Sequence, residues 1–303
     1  MVKQLIQAAD MSRRAARHGL FEIARACDRI AGRLEGKPLL PAAERALLDR
    51  NRELAGRHAG RRAFVVGNGP SLSRQDLGLL AGELWFVSNG FWRHPVLEKV
   101  QPVALALCDP AYFSGAPRWD AEFAGIRGAI REGLFLVPRP AHGTIQQRGL
   151  LPGDRTYYCE FFGSMARLAG FSYDLAGPLP NCQTVTLFSI MIALHMGCNP
   201  IYLLGMDHDF LVNPARASHF YQGDQVPASD DRYEDWPYDR LLEAVLNMWK
   251  GYRNLKAVAE GHGKRILNAT AGGYLDVFER VQFEGLFPVR ERAEREHQDS
   301  GRS

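Results

Sequence analysis

The sequence predicts an α/β protein built on a doubly wound, mostly parallel sheet with an N-terminal helical extension. Three observations lead to this prediction. From Arg62 onward, short β-rich runs alternate with helical segments, a pattern typical of parallel strands joined by crossover helices. The first of these runs ends in the glycine-rich turn GNGPS at residues 67–71. A later segment, residues 184–196, is apolar on almost every side, which predicts a helix buried within the domain.

These elements divide the 303 residues into three parts. We expect a helical extension over 1–59, one α/β domain over 60–287 and a flexible charged tail over 288–303. A second long helix is predicted over 238–258, where apolar residues recur at helical spacing. The predicted strands are residues 63–66, 84–88, 103–108, 134–137, 157–160, 201–204 and 265–267.

Composition favours an ordinary globular protein, with 46% hydrophobic and 23% charged residues. The five cysteines are widely spaced and include no Cys-x-x-Cys pair, so they predict small buried side chains in a reducing compartment. The sequence contains no apolar run of about 18 residues that could span a bilayer, and its first residues lack the apolar core of a secretory signal. We therefore expect a cytoplasmic protein.

The basic charge is concentrated at the N-terminus. Residues 1–62 contain 14 Lys and Arg against 7 Asp and Glu, a balance of +7, so the rest of the chain carries −4 of the net +3. Residues 1–58 predict two helices separated near Gly36-Lys37-Pro38. A basic amphipathic hairpin is compatible with a membrane surface or nucleic acid. We favour packing on the main domain or on a second subunit, with no nucleic-acid partner.

The turn after the first strand is the strongest indication of a binding site. Glycines in such a turn let backbone amides approach a phosphate, and the helix that follows contributes partial positive charge. The turn departs from the dinucleotide fingerprint, because Leu72 replaces the third glycine and no acidic residue ends the second strand. It therefore predicts a phosphate-binding loop of another kind or a tight turn only. Its residues are Gly67, Asn68, Gly69, Pro70 and Ser71.

Polar residues also follow other predicted strands. Asn89 follows the second strand and Asp109 the third, and Thr184 precedes the buried helix. Because ligands of such sheets bind beyond the carboxyl ends of the strands, we expect these residues to share one nucleotide site with the turn. An asparagine amide both donates and accepts, which suits a phosphate, a ribose or a pyrimidine edge. For Thr184 an ordinary helix cap explains the residue equally well.

The sequence Asp207-His208-Asp209 has the Asp-x-Asp form with which many glycosyltransferases hold a divalent metal. Oxygen ligands from Asp207 and Asp209, with Asp109 as a further candidate, would suit Mg²⁺ or Mn²⁺. The alternative for Asp207 is a structural role, in which its carboxylate accepts hydrogen bonds within the loop.

His219 is the predicted catalytic base. It follows a loop that we expect to lie over the strand ends, and a histidine there can take a proton from an attacking hydroxyl at neutral pH. Asp207 is the other predicted catalytic residue.

In this order, the motifs resemble a known family, the bacterial 6-hydroxymethylpterin pyrophosphokinase MptE-like proteins, which are Rossmann-like and related to motility accessory factors. The resemblance covers about residues 60–287 and implies diphosphate transfer from Mg-ATP to a pterin alcohol, with magnesium held by Asp109, Asp207 or Asp209. The motifs are GNGPSL at 67–72, VSNG at 87–90, CDP at 108–110, IYLLGMDHDF at 201–210, SHFY at 218–221 and ILNATAGGYLDVF at 266–278.

The same motifs are similar to those of bacterial lipooligosaccharide sialyltransferases, which use a CMP-sugar. That resemblance implies contacts to the cytidine nucleotide from Asn68, Gly69, Pro70, Ser71 and Asn89. The chain departs from the pattern at two places. His208 and Asp209 stand where the sialyltransferases carry phosphate-binding tyrosines, and Gly223 stands where they carry the catalytic histidine. The assignment of a base to His219 therefore comes from this sequence and not from the resemblance.

The function expected from the sequence is glycosyl transfer from a nucleotide-activated sugar, with a CMP-linked donor as the favoured case, onto a surface glycan or protein. The donor groups of Asn68, Ser71 and the helix amides would stabilise the leaving phosphate. Two alternatives stay open at this stage. One is the Mg-ATP-dependent pterin diphosphokinase, and the other is a nucleotide-binding protein without turnover.

Overall fold

A single parallel sheet of eight strands forms the centre of the protein. The computed structural model describes residues 40–168, 170–209, 211–212, 220 and 236–288. Every pairing between the strands of these residues is parallel. This confirms the predicted Rossmann-like α/β class. The strands are β1 Ala63–Val66, β2 Leu84–Ser88, β3 Ala104–Ala106, β4 Leu134–Pro138, β5 Thr156–Ser164, β6 Pro178–Asn181, β7 Ile201–Leu204 and β8 Ile266–Asn268.

Helices cover the two faces of the sheet. Several connections are single 3₁₀ turns, and those that follow β1, β2 and β3 are Pro70–Arg74, Asn89–Arg93 and Pro110–Phe113. None of the helices in the described residues is both long and apolar enough to cross a membrane. The α-helices are α1 Ala42–Asp49, α2 Arg118–Ala129, α3 His142–Arg148, α4 Val185–His195 and α5 Tyr238–Gly261.

The strand order places a topological switch point between β1 and β7. The order across the sheet is β6-β5-β4-β3-β2-β1-β7-β8. The chain lays down β1 to β6 in one direction and returns through α4 to place β7 on the other side of β1. In open parallel sheets, ligands usually bind at such a point, beyond the carboxyl ends of the strands. The site is therefore to be sought beyond β1, β2 and β7.

Alternate side chains of β1 belong to two different hydrophobic cores. Ala63 and Val65 belong to the core that contains α4 and α5, whereas Phe64 and Val66 belong to the core that contains α2 and the turns after β1 and β2. Ten of the eleven residues of α4 are buried. Because this helix lies between the sheet and α5, it needs apolar residues on nearly all sides, as the sequence predicted.

The described part of the N-terminal extension packs on the sheet. Asn51 is fully buried, and its Nδ2 donates to the carbonyl oxygens of Tyr158 and Leu175 at 2.7 and 2.6 Å. Its own carbonyl oxygen lies 2.9 Å from Nε2 of His195, at the end of α4. Residues 40–59 thus contact the domain, and the boundary at residue 59 stays a prediction. Residues 1–39 and 289–303, which include the first of the two predicted N-terminal helices and most of the tail, lie outside the described residues.

Candidate functional site

The loops after β1 and β7 are bonded to each other at the switch point. Gly67 N donates to Leu204 O at 2.8 Å, and Gly69 N donates to Gly205 O at 3.0 Å. These bonds extend the β1–β7 ladder past the strands. Gly205 has a φ of +66°, and a Cβ at this position would lie 2.8 Å from the Leu72 side chain. Both the positive φ and the close approach of Leu72 therefore require glycine at position 205.

Asp207 holds the two loops in place. Its side chain is nearly inaccessible, at 3% exposure, and its Oδ2 accepts hydrogen bonds from Ser71 Oγ at 2.7 Å and from Ser71 N at 3.4 Å. Its backbone oxygen accepts from Tyr274 N at 2.7 Å. A Cβ on Gly69 would overlap the Asp207 carboxylate, so glycine at this position makes the contact possible. These contacts support the structural alternative for Asp207.

The described residues do not support the predicted site for a divalent cation. In the part of the chain that the structure describes, no group of three or more His, Cys, Asp or Glu side chains is placed to hold a metal ion. The Asp207 carboxylate already accepts two hydrogen bonds from Ser71, and Asp109 Oδ1 accepts from Ala111 N at 2.9 Å. Binding of Mg²⁺ or Mn²⁺ by Asp207 and Asp209 therefore stays a prediction.

Asn68 and Asn89 lie side by side at the ends of β1 and β2. Asn68 Nδ2 donates to Ser88 O at 3.0 Å, which fixes the orientation of the amide. The side-chain oxygens of both asparagines are enclosed and accept no hydrogen bond from the residues described. Asn89 also has a φ of +46°, in the left-handed region. Since buried polar atoms are nearly always paired, these two oxygens indicate a ligand that donates hydrogen bonds.

Asp109 and Thr184 are both caps at the same edge of the sheet. Asp109 caps the 3₁₀ turn after β3, and Thr184 Oγ1 accepts from Thr186 N at 3.4 Å at the start of α4. Thr186 Oγ1 donates to Met206 Sδ at 3.4 Å, so the first turn of α4 touches the loop after β7. Their capping roles are thus visible in the structure, and their roles in nucleotide binding stay predictions.

Replacing Thr184 with alanine is expected to lower the free energy of unfolding by about 1 kcal/mol, the usual cost of losing a side-chain cap. Thr184→Ser keeps the hydroxyl and is the control. Denaturant unfolding of the two variants measures the difference. Equal stability of T184A and the unaltered protein would show that the hydroxyl does not stabilise α4.

His208 is a site residue to which the sequence analysis assigned no role of its own. It has a φ of +46°, and its Nε2 lies 2.8 Å from the hydroxyl of Tyr252 on α5. Its ring also packs against the edge of Trp249. Burial lowers the pKa of His208 to about 4, although the Asp209 carboxylate acts in the opposite direction. The sequence predicted one member of this pair, because Tyr252 lies on the apolar face of the predicted helix 238–258. It contained no signal that pairs Tyr252 with His208.

Phe220 is the described residue of the SHFY motif, and it lies over the ends of β1 and β2. Its backbone N donates to Asn68 O at 2.8 Å. Its ring contacts Phe91 and His94, with centroids 5.7 and 4.9 Å away. The adjacent His219, the predicted base, lies outside the described residues. Its role stays a prediction.

Comparison with known proteins gave matches to solved structures only. No family model and no curated protein match the sequence, so membership of the MptE-like family stays a prediction. The MAf glycosyltransferase from Magnetospirillum magneticum AMB-1 matches with a TM-score of 0.47 and 14% identity, over 82% of this chain and 40% of that chain. The Campylobacter jejuni sialyltransferase CstII matches in its complex with cytidine-5'-monophosphate, with a TM-score of 0.46 and 12% identity over 74% of this chain and 85% of that chain.

The same sialyltransferase in complex with the substrate analogue CMP-3FNeuAc gives a TM-score of 0.43 and 13% identity. The chain spans only 40% of the MAf glycosyltransferase chain. At these TM-scores and identities the matches carry no argument about chemistry. The function proposed below therefore rests on the chain's own residues.

Proposed function

We propose that the residues at the carboxyl ends of β1, β2 and β7 bind the nucleotide of an activated sugar, and that the protein is a glycosyltransferase-like enzyme acting on a glycan or protein hydroxyl. The observation that carries this proposal is the pair of enclosed amide oxygens of Asn68 and Asn89 beside the switch point, which have no hydrogen-bond partner among the described residues. Crevices at such points are the usual ligand sites of open parallel sheets.

The orientation of the Asn68 amide limits which chemical groups of a ligand it can bind. Its Nδ2 is used on Ser88 O, so only its oxygen is left for a ligand. Ribose hydroxyls and the amino group of cytosine donate hydrogen bonds, whereas phosphate oxygens do not. A cytidine nucleotide therefore suits this end of the proposed site through its nucleoside part.

The hydrogen-bond donors of two predicted phosphate-binding residues are used inside the fold. Asn68 Nδ2 donates to Ser88 O, and Ser71 Oγ donates to Asp207. This argues against the expectation that these two side chains stabilise the leaving phosphate. The N-terminus of α4, which lies beside the loop after β7, carries partial positive charge and remains suited to that task.

The chemistry required is modest. In glycosyl transfer from a CMP-sugar, the bond between the anomeric carbon and the phosphate oxygen breaks as the acceptor oxygen attacks, and the acceptor proton passes to a base. A monophosphate leaving group needs no metal ion in principle. The structural role of Asp207 leaves His219 as the proposed base. The diphosphokinase and non-catalytic alternatives gain no specific support from the described residues.

A melting-temperature panel tests the proposal. Ligands that bind only the folded state raise the midpoint. We expect CMP and cytidine to raise the midpoint without magnesium, and ATP to raise it less. A rise confined to ATP with magnesium would favour the diphosphokinase instead. No rise with any nucleotide would contradict a nucleotide site.

Asn68→Ala is expected to lower CMP affinity about fivefold, because it removes one neutral hydrogen bond to the ligand. Isothermal titration calorimetry measures the change. Asn181→Ala is the matched control, since Asn181 also bonds a backbone oxygen, that of Gly163, but lies on the exposed edge strand β6. Unaltered CMP affinity of N68A, in a variant that unfolds like the parent, would count against the site.

A further inference from the structure

The first three turns of α5 carry an apolar stripe that the described residues leave exposed. All the buried residues of α5 lie at or after Met248. Tyr238, Leu242 and Leu246 are 67, 43 and 49% exposed. Because residues four apart lie on one face of a helix, these three side chains form one continuous surface, the α5 stripe. Large apolar side chains that are exposed together in this way mark an interaction surface.

The α5 stripe lies beyond the carboxyl edge of the sheet. Asn254 Nδ2, in the second half of α5, donates at 2.9 Å to the carbonyl oxygen of Met165, which directly follows β5. From this contact α5 continues towards the amino edge, where the chain enters β8. Since a helix rises about 1.5 Å per residue, Leu246 lies roughly 12 Å further in the opposite direction, past the carboxyl edge.

The described chain begins at the same edge. Arg139 directly follows β4, and its Nη1 donates to Glu44 in the first turn of α1 at 2.5 Å. Just after α1, Arg50 Nη1 donates at 2.8 Å to Gly153 O, which precedes β5. The helix α1 therefore starts at the carboxyl edge and ends at the amino edge. Residues 1–39 are thus joined to the protein at the edge where α5 touches the end of β5.

The sequence of this N-terminal segment predicts a helix with one apolar face. Apolar residues recur at alternating spacings of three and four, which places them on one side of a helix. The pattern ends at Gly36-Lys37-Pro38, shortly before the described structure begins at residue 40. The residues of the pattern are Leu20, Ile23, Cys27, Ile30 and Leu34.

We propose that the apolar face of residues 20–34 packs on the α5 stripe of the same chain. A second copy is the less suitable occupant, because three side chains offer far less area than the about 800 Å² per partner that a stable interface buries. A tethered segment needs less area, since its effective concentration at the stripe is high. The inference does not depend on the proposed nucleotide site.

The charges of the two surfaces are complementary. The exposed charged residues of the first three turns of α5 are Asp239, Arg240 and Glu243, a balance of −1. Residues 1–39 contain 8 Lys and Arg against 4 Asp and Glu, a balance of +4. Opposite charges of this kind bring the segment to the α5 stripe, and apolar burial then holds it there.

Cysteine crosslinking of the full chain tests the contact. A short bismaleimide joins the native Cys27 to Leu246→Cys, and Ala257→Cys, at an exposed position in the second half of α5, is the control. We expect L246C to give a link within one chain that Cys27→Ser abolishes, and A257C to give about a tenth as much or less. A link between two chains would overturn the inference in favour of a second copy. Absence of a link to Cys27 would assign the α5 stripe to another occupant and would also overturn it.

Limited trypsin digestion gives a second measurement. Leu242→Glu and Leu246→Glu remove apolar surface from the α5 stripe, and glutamate is itself a good helix former. We expect the double variant to lose residues 1–39 about tenfold faster than the parent, because the segment is released more often. Ala257→Glu is the matched control and should be cleaved at the parental rate. Equal cleavage rates for parent and double variant, in proteins that unfold alike in urea, would overturn the inference.

Discussion

Gly69→Ala is expected to lower the free energy of unfolding by about 3 kcal/mol, the upper part of the usual range for overpacking a buried site. The reason is space and not backbone conformation, since Gly69 has an ordinary φ of −63°. An added Cβ would overlap the carboxylate of Asp207 and press on the carbonyl oxygen of Gly205. Neither group can yield freely, because Asp207 is bonded to Ser71 and the Gly205 oxygen accepts the Gly69 N–H.

Gly128→Ala is the matched control for this prediction. Gly128 lies in α2, and a Cβ added there would meet no atom within 4 Å. Alanine in a helix is more favourable than glycine by about 0.5–1 kcal/mol, so this variant should be as stable as the parent or more so. Urea unfolding of both variants measures the contrast. A G69A protein as stable as G128A would mean that the loops after β1 and β7 are not packed as described.

The central strands of the sheet can be predicted from the sequence alone. The predicted runs 63–66, 84–88 and 201–204 coincide with β1, β2 and β7. Each is a short, continuous apolar run that ends at a glycine or an Asn-Gly pair, as expected for strands buried on both faces. For these strands, local sequence and tertiary environment specify the same structure.

The edge of the sheet could not be predicted in this way. The edge strand β6, Pro178–Asn181, contains two prolines, and the sequence analysis did not include it among the strands. Proline is tolerated there because an edge strand leaves one side unpaired. The prediction of a strand ending at Glu160 was wrong for a related reason. The strand β5 continues to Ser164 because it pairs with β6, which local sequence does not reveal.

The position of the site was easier to predict than the roles of its side chains. Polar residues after strands must meet at one edge of a parallel sheet, so the grouping of Asn68, Asn89 and Asp207 follows from the strand assignments. Whether a side chain faces a ligand or the fold depends on partners far away in sequence. Ser71 and Asp207 are 136 residues apart, and His208 and Tyr252 are 44 apart. No local pattern specifies such pairs.

Asp207→Ala is expected to cost about 2–3 kcal/mol of folding free energy. The carboxylate is buried, and Ser71, which is fully inaccessible, donates to it through both its hydroxyl and its backbone N–H. Removing the carboxylate leaves these two donors without this acceptor in a place that water does not reach. Because a hydrogen bond to a charged group is stronger than one between neutral groups, this loss should exceed that of T184A.

A double-mutant cycle separates the Ser71–Asp207 bond from the other contacts of Asp207. Ser71→Ala removes the hydroxyl and keeps the loop backbone, and Asp207→Asn keeps the volume but removes the charge. We expect each single variant to be destabilised and the double variant to be more stable than the sum of the two losses predicts, with a coupling energy of about 1.5 kcal/mol or more from denaturant unfolding. Additive losses would show that the Asp207 side chain does not stabilise the fold through the Ser71 hydroxyl.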